Sequence, residues 1–457
     1  MPQGRHRAPR GPKNAERTSS RRRLANEQRL LALGEAVNER SGIAPTSRRG
    51  RAKRSLRRRL SYWSLGIVVL LGGIIGGVYL YAQLKFDNIP KVAVPSEVHR
   101  ISGQPFNVLI IGSDSRAGLT GNEAAQTGGS SVQGQRSDVV KIAHIDPGKG
   151  TIQMVSIPRD TLVTLLANQS LYTNYNRINV NYGSGPNLLV KTIEANFGIP
   201  INHVVQVSFG GLINATEALG GVYLNFPYPA KDAYSGLNVK HTGCQLVDGF
   251  QALAVARSRH YEYFQNGQWV YDGTSDYGRI DRQNTFIRAL IQSAKGKYNP
   301  LTLNSFLSDL PQGITLDNEW SLDELIGLAL KFHSLNPAEL ATYTLPTISA
   351  GDISPYGDVL VEQQPEGQQL LVNIFGSQLE KPTNPPPNAQ LQVLPPPDVT
   401  VSTTPAISTN TTTKSTTKST TKSTTKSTTK TTTKVATTTT TVPGVTVPYF
   451  DPTNCTP

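Results

Sequence analysis

The sequence predicts an α/β domain built on a mixed sheet and carried by one membrane-spanning helix. Three observations predict it: a charge-free apolar run at 62–82, short apolar strand segments alternating with helix-period segments from residue 105 onward, and a tight Asp-Pro-Gly-Lys-Gly turn at 146–150 between two of those strands. Strands joined by so short a turn pair antiparallel, so the sheet is not purely parallel.

Taken in order, residues 1–60 carry 18 Lys+Arg against 4 Asp+Glu, a net of +14. The whole chain is only +13, so everything after residue 60 sums to −1 and residues 84–398 to −6. A basic domain that reads nucleic acid is therefore excluded as the source of the charge. The basic segment is expected to be largely disordered.

The run at 62–82 follows Arg57, Arg58 and Arg59 and has Tyr62, Trp63, Tyr79 and Tyr81 at its ends. At about 1.5 Å per residue it crosses a hydrocarbon core of roughly 30 Å. The long basic preface and the lack of a clear small-residue cleavage site favour an uncleaved anchor, placed at 61–83, over a signal peptide. The positive-inside bias puts the N-terminus in the cytoplasm and the rest outside.

A connector at 84–104 leads to a core at 105–300, with strands at 106–111, 138–145, 151–157, 204–207 and 222–224. Helices are expected at 186–196, 210–218, 248–257, 279–294 and 322–333, the last opened by a capping box from Ser321 to Glu324. Residues 301–380 complete the domain. From 381 to 457 the chain is a Pro-rich linker and a Thr/Ser/Lys tail with a Ser-Thr-Thr-Lys repeat at 415–430, expected to be disordered for want of apolar residues to bury. A glycosylated or wall-contacting stalk is the functional alternative for that tail. Of the two cysteines, Cys244 lies in the domain and Cys455 in the tail, which argues against a bridge between them.

Serine-hydrolase elbows, Walker loops and zinc-ligand spacings are missing from the sequence, and the seven histidines are scattered. Arginines and aspartates at the ends of expected elements stand out instead. Asp114 and Arg116 follow the first strand, Arg136 and Asp138 open the second, and Arg159 and Asp160 end the third. Arg257, Arg259, Asp276, Arg279, Asp281, Arg282 and Gln283 come later. Strand ends on one edge of an α/β sheet converge on one crevice. Guanidiniums match phosphate oxygens bidentately, and Asp114 with Asp138 offers oxygen ligands to a hard cation such as Mg²⁺. Arg279, Arg282 and Gln283 are placed on the first turn of a helix, where free N–H groups also favour an anion. Taken singly, each Asp or Arg reads more simply as a cap or a structural ion pair; Asp160 fits a helix cap and Asp281 a local pair.

These motifs, joined by Arg177-Ile-Asn179 and Leu219-Gly-Gly-Val222, resemble the LytR-CpsA-Psr family of cell-envelope phosphotransferases over roughly 106–294 and more loosely to about 376. The resemblance implies a three-layer α/β/α sandwich with a hydrophobic cavity for the polyprenyl chain of a lipid diphosphate. It also implies Asp114 and Asp138 as ligands of Mg²⁺ (or Mn²⁺), with Arg136, Arg159, Arg257, Arg259 and Arg279 on the diphosphate. Arg116, Arg177, Arg282 and Gln283 would support binding, and Asp114 is also a candidate base. The implied reaction moves a glycan phosphate, of teichoic acid, arabinogalactan or capsular type, from the polyprenyl carrier to a peptidoglycan hydroxyl. A Gly-rich insertion at 118–134 and Arg177, where the family more often has Lys, depart from the pattern. A lipid-diphosphate hydrolase and a membrane-bound regulator are the competing readings.

Overall fold

The computed structural model describes residues 15–41, 49–115, 119, 137–166, 175–295, 308, 313–353, 356–387 and 455. It divides into two compact units at Tyr79 and Leu80, each taken by itself below.

The first unit holds helix α1 (Ala15–Ser41) and most of α2 (Arg49–Asp87). The basic segment expected to be disordered is thus helical over Ala15–Ser41. Arg, Ala, Leu and Glu make up most of that stretch, and their propensities favour a helix. Within α2, Leu60–Asp87 is long and apolar enough to cross a membrane, at a mean hydropathy of 2.1.

The second unit is built on a seven-stranded mixed sheet. Its strands are β1 (Lys91–Val92), β2 (Phe106–Ser113), β3 (Ser137–Asp146), β4 (Thr151–Ile157), β7 (His203–Val207), β14 (Ile314–Asp317) and β15 (Ala341–Thr344), in the order β1-β14-β7-β2-β3-β4-β15. β2 pairs antiparallel with β3 and parallel with β7, and β15 joins β4 in parallel. The expected connector at 84–104 is part of the domain: β1 pairs with β14, and Phe86, Ile89 and Val94 are buried.

Side chains alternate across the sheet. From β2, Leu109 and Ile111 join a core with Leu189, Val190 and Ile193 of α3 (Pro186–Phe197) and Leu371 and Ile374 of α8 (Glu366–Phe375). Val108 and Ile110 face the other side, where α4 (Phe209–Ala218), α5 (Gly249–Arg257), α6 (Ser275–Ala294) and α7 (Leu322–Phe332) lie. This gives the three-layer sandwich expected.

Smaller strand pairs surround it. They are β5 (Leu162–Thr164) with β6 (Tyr175–Arg177), β8 (Val222–Phe226) with β11 (Gly243–Val247), and β16 (Thr347–Ile353) with β17 (Gly357–Glu362). A four-stranded sheet of β9 (Ala230–Asp232), β10 (Leu237–Val239), β12 (Glu262–Gln265) and β13 (Gln268–Tyr271) has the order β10-β9-β12-β13.

The linker expected from 381 is packed at its start. Asn384 donates its backbone N–H to Ala195 and its side-chain amide to the Leu165 carbonyl, while Thr164 Oγ1 donates to the Pro385 carbonyl at 2.6 Å. Residues 388–454, including the Ser-Thr-Thr-Lys repeat, lie outside the described residues. Cys455 is buried and disulfide-bonded to Cys244 on β11, against the sequence expectation. Tail composition says nothing about a single buried residue near its end.

Candidate active site

Between the sheet and α4, α5 and α6 lies a cavity of about 660 Å³. Its deep walls are apolar, with Val108, Ile110, Val205, Leu212, Leu253 and Phe286 among them, while Asp138, Arg159, Arg257, Arg259, Arg279 and Gln283 line its polar part. The separation follows from the strands: interior positions of β2 and β7 supply Val and Ile, and the charged mouth lies where β3 begins and β4 ends.

Register brings the two expected metal carboxylates to one sheet edge. Ser113 pairs with Ser137 across a bulge at Gly112/Ser113, so Asp114 and Asp138 sit at neighbouring strand ends. Burial raises the pKa of Tyr182, a hydrogen bond from Ser113 opposes this, and the nearby Asp114 charge adds to the rise.

Arg159, two residues beyond β4, donates from Nη1 to Asp138 Oδ1 at 2.5 Å and from Nε to Asp160 Oδ2 at 3.3 Å. Arg279 Nη2 donates to the Asp138 carbonyl at 3.0 Å and lies 2.8 Å from Asp276 Oδ1 as an ion pair. Arg259 Nε lies 3.3 Å from the same Asp276 oxygen. Arg177 pairs with Asp160 at 3.3 Å, and Arg257 sits 4.8 Å from the Phe209 ring. Burial opposes the charge on Arg159, yet Asp138, Asp160 and Asp276 outweigh it and raise its pKa. Burial lowers that of Arg279, with Asp276 and Asp138 opposing and Arg159 and Arg259 reinforcing.

Arg159, Arg177, Arg259 and Arg279 pair with Asp138, Asp160 and Asp276, Arg257 lies against the Phe209 ring, and Asp114 stands at the neighbouring strand end, so five guanidiniums meet four carboxylates. The buried Nε atoms of Arg177, Arg259 and Arg279 have no hydrogen-bond acceptor. Positive charge and unused donors at the mouth of an apolar cavity favour an anion with several oxygens.

Three expectations change. Arg282 does not reach the cavity: Asp272 holds its Nη1 at 2.7 Å, the Ser258 carbonyl accepts from Nη2 at 2.9 Å, and Tyr261 lies beneath it. Helix α6 starts at Ser275, not 279, because Asp272 caps the turn through Thr274; Arg279 and Gln283 therefore lie beyond its first turn. Asp160 precedes β5 and caps no helix. Gln283 does line the cavity, donating to the Ala256 carbonyl at 3.0 Å. Arg116 and Arg136 lie outside the described residues.

Among the described residues no three His, Cys, Asp or Glu side chains form a metal-binding group. Two hard oxygen donors on adjacent strand ends still fit a cation such as Mg²⁺, which takes one or two carboxylates and completes its shell with phosphate and water.

Sequence inspection missed Lys141. It is 1% exposed on β3, lines the cavity, and donates to Ser156 Oγ at 2.6 Å and Asn284 Oδ1 at 2.7 Å. A lone lysine inside an apolar strand was the available signal.

An α/β sandwich whose apolar cavity ends in an arginine-rich anion site defines a protein that handles an amphiphile with an anionic head. The chain belongs to the LytR_cpsA_psr family, whose sequence pattern matches residues 81–370. It is 28% identical over 311 residues to a Corynebacterium glutamicum protein named for cell wall biosynthesis, LcpB, covering 65% of this chain and 68% of that one. It is 30% identical over 282 residues to the polyisoprenyl-teichoic acid–peptidoglycan teichoic acid transferase TagU of Enterococcus faecalis, covering 59% and 81%. A solved LytR-Csp2A-Psr enzyme from Actinomyces oris superposes with a TM-score of 0.50 at 24% identity, over 65% of this chain and 97% of that one.

Proposed function

We propose that this protein transfers a phosphoglycan from a polyprenyl diphosphate carrier to a hydroxyl of peptidoglycan. The observation that carries the reading is the apolar cavity with its arginine mouth, which matches an isoprenoid chain joined to a diphosphate. The named activity of the Enterococcus faecalis relative supports it.

The acceptor oxygen attacks the glycan-bearing phosphorus, the bond from that phosphorus to the bridging oxygen breaks, and polyprenyl phosphate leaves. Arg159, Arg257, Arg259 and Arg279 bind the diphosphate oxygens and stabilise charge that moves to the leaving phosphate. Asp114 accepts the hydroxyl proton, and Arg177 holds Asp160 beside Arg159. Asp114 and Asp138 would hold Mg²⁺, which when bound neutralises diphosphate charge. The polyprenyl chain, buried among Val108, Leu253 and Phe286, fixes the phosphorus in place. The diphosphate bond supplies the driving force, so the reaction needs no nucleotide.

The apolar helix at Leu60–Asp87 anchors the enzyme beside its lipid substrate, with the N-terminus cytoplasmic and the catalytic domain outside. Full-length protein in vesicles, given lipid-linked glycan and peptidoglycan oligomers, should yield conjugate, and Asp114→Ala or Arg159→Ala should lower its formation by about 10²-fold or more. Unchanged transfer by either variant rejects the site. Identical products with and without peptidoglycan reject transfer in favour of hydrolysis.

A further inference from the structure

The four-stranded sheet beside the cavity has an outer face that the proposed chemistry leaves unused. In β12 and β13 the register sets Phe264 opposite Trp269 and Glu262 opposite Tyr271, while Lys231 of β9 pairs with Glu262. Alternation places all five on one face. Phe264, Trp269 and Tyr271 are 38%, 42% and 52% exposed. Their neighbours in sequence, Tyr263 and Val270, turn the other way, and Tyr263 packs on a buried core.

This face is ordered by its own contacts. The Phe264 and Trp269 rings meet edge to face at 5.4 Å, Lys231 Nζ lies 4.1 Å from the Trp269 ring centre, and Lys231 pairs with Glu262 at 3.0 Å. Asn266 and Gly267 turn the hairpin with φ of 52° and 80°, the left-handed pair a two-residue turn requires.

The sheet is also tied to the arginine mouth. The hairpin is the chain between Arg259 and Asp276, closed at its base by the Asp272 N–H donating to the Tyr261 carbonyl at 2.8 Å. Asp232 of β9 accepts from Ser258 Oγ and from the backbone N–H groups of Arg259 and His260 at 2.7–3.0 Å. Tyr234, 77% exposed, packs against His260, and both line the cavity with Arg259.

We propose that the outer face of β9, β12 and β13 is a glycan-binding platform that holds the acceptor strand, with Trp269 as its main stacking ring. Aromatic faces carry negative quadrupole density and attract the polarised C–H faces of pyranose rings, while the ion-paired Lys231 and Glu262 offer hydrogen bonds to hydroxyls. The neutral ion pair fits an uncharged sugar better than a phosphate. The same carboxylate disfavours burial of this face in hydrocarbon, which is what a membrane-docking surface would need. A four-residue strand extends roughly 13 Å from the mouth, longer than one sugar ring. A glycan whose reacting hydroxyl enters the mouth could therefore lay its next residues along the hairpin.

The assignment of the bound glycan as acceptor rests on the proposed transfer, but binding itself is measured without turnover. Full-length protein in nanodiscs is titrated by calorimetry with peptidoglycan glycan oligomers lacking lipid. Wild type should bind, Trp269→Ala should weaken binding about tenfold, and Trp269→Phe should recover part of it. Arg159→Ala should bind the oligomer as wild type does even where transfer is lost, which separates the platform from the diphosphate site. Equal oligomer affinity in wild type and Trp269→Ala, or no binding by either, overturns the proposal. Oligomer affinity unchanged while the full-length protein in nanodiscs binds added anionic vesicles less in Trp269→Ala overturns it in favour of membrane docking.

Discussion

Arg159 grips Asp138 across the ends of two neighbouring strands, Nη1 to Oδ1 at 2.5 Å, while its Nε faces Asp160. The guanidinium is thus fixed by protein carboxylates before any substrate arrives, which lowers the ordering cost of binding an anion. Arg159→Ala should lower turnover by about 10²–10³-fold, the scale of one lost charge-stabilising donor. Arg159→Lys should recover only part, because an ammonium keeps the charge and loses the fork. Asp138→Asn should also lose activity without loss of fold. Glycan-transfer rates check all three; a lysine variant as active as wild type would show that the fork has no role.

Lys141 titrates under strong constraint. Burial pushes its pKa down from 10.5 to about 7, with Asp281 opposing and Arg279 and Arg288 reinforcing the shift. Burial likewise pushes Asp281 up to about 6, with Lys141 opposing. Because the folded pKa of Lys141 lies below its unfolded value, its charge costs stability in full below about pH 7, and that cost disappears as pH rises toward 10.5. Lys141→Met removes the cost, so the melting temperature of Lys141→Met relative to wild type should rise as pH falls from 10 to 7. A pH-independent difference would show that Lys141 is not the titrating group.

How much of this was legible follows from the range of each interaction. β2 to β4 and the helices at Pro186–Phe197 and Leu322–Phe332 follow local patterns of alternation, helical period and capping, and emerge within a residue or two. Helix α6 began four residues early because a capped turn at Asp272 and a left-handed Ser275 (φ 49°) are tertiary features. The order of guanidiniums around the cavity could be expected; which of them faces inward could not. Arg279 and Arg282 differ by one helical turn, yet one lines the mouth and the other is held behind it by Asp272. The β12/β13 hairpin carried a readable signal, Asn266-Gly267 between aromatic strands, that the arginine motifs on either side obscured.

Gly278 permits that separation. A Cβ there would collide with Thr274 Oγ1 and crowd Asp272 and Arg282, the groups that anchor the start of α6. Gly278→Ala must shift the turn that positions Asp276 and Arg279. The expected result is a loss of about 1–3 kcal/mol by denaturant unfolding, with a fall in transfer larger than that of Arg282→Lys. A fully stable variant would show that the turn yields without cost.

The Cys244–Cys455 bridge joins residues 211 apart and returns the end of the chain to β11. Such a bond is at home in an oxidising compartment and agrees with a domain placed outside the membrane. Peptide mapping without reductant should recover the linked pair, and Cys244→Ser should cost about 2–5 kcal/mol of stability. Free thiols at both positions in protein purified from membranes would remove the bridge and this support for topology.

Cavity occupancy can be separated from chemistry by filling the space where no charge is involved. Ala215 lines the apolar wall from α4, away from every arginine of the mouth in sequence. Ala215→Phe puts an aromatic ring where an isoprenoid chain is proposed to lie. Because the ring enters existing space, stability should hold or rise slightly, whereas a core with no real cavity would pay an overpacking cost of about 1–3 kcal/mol. Copurified lipid, read by mass spectrometry, should fall sharply. Binding of the soluble peptidoglycan oligomer should not change, since its proposed platform is on another face. Lipid retained at wild-type levels by a stable Ala215→Phe protein would mean that the chain lies elsewhere.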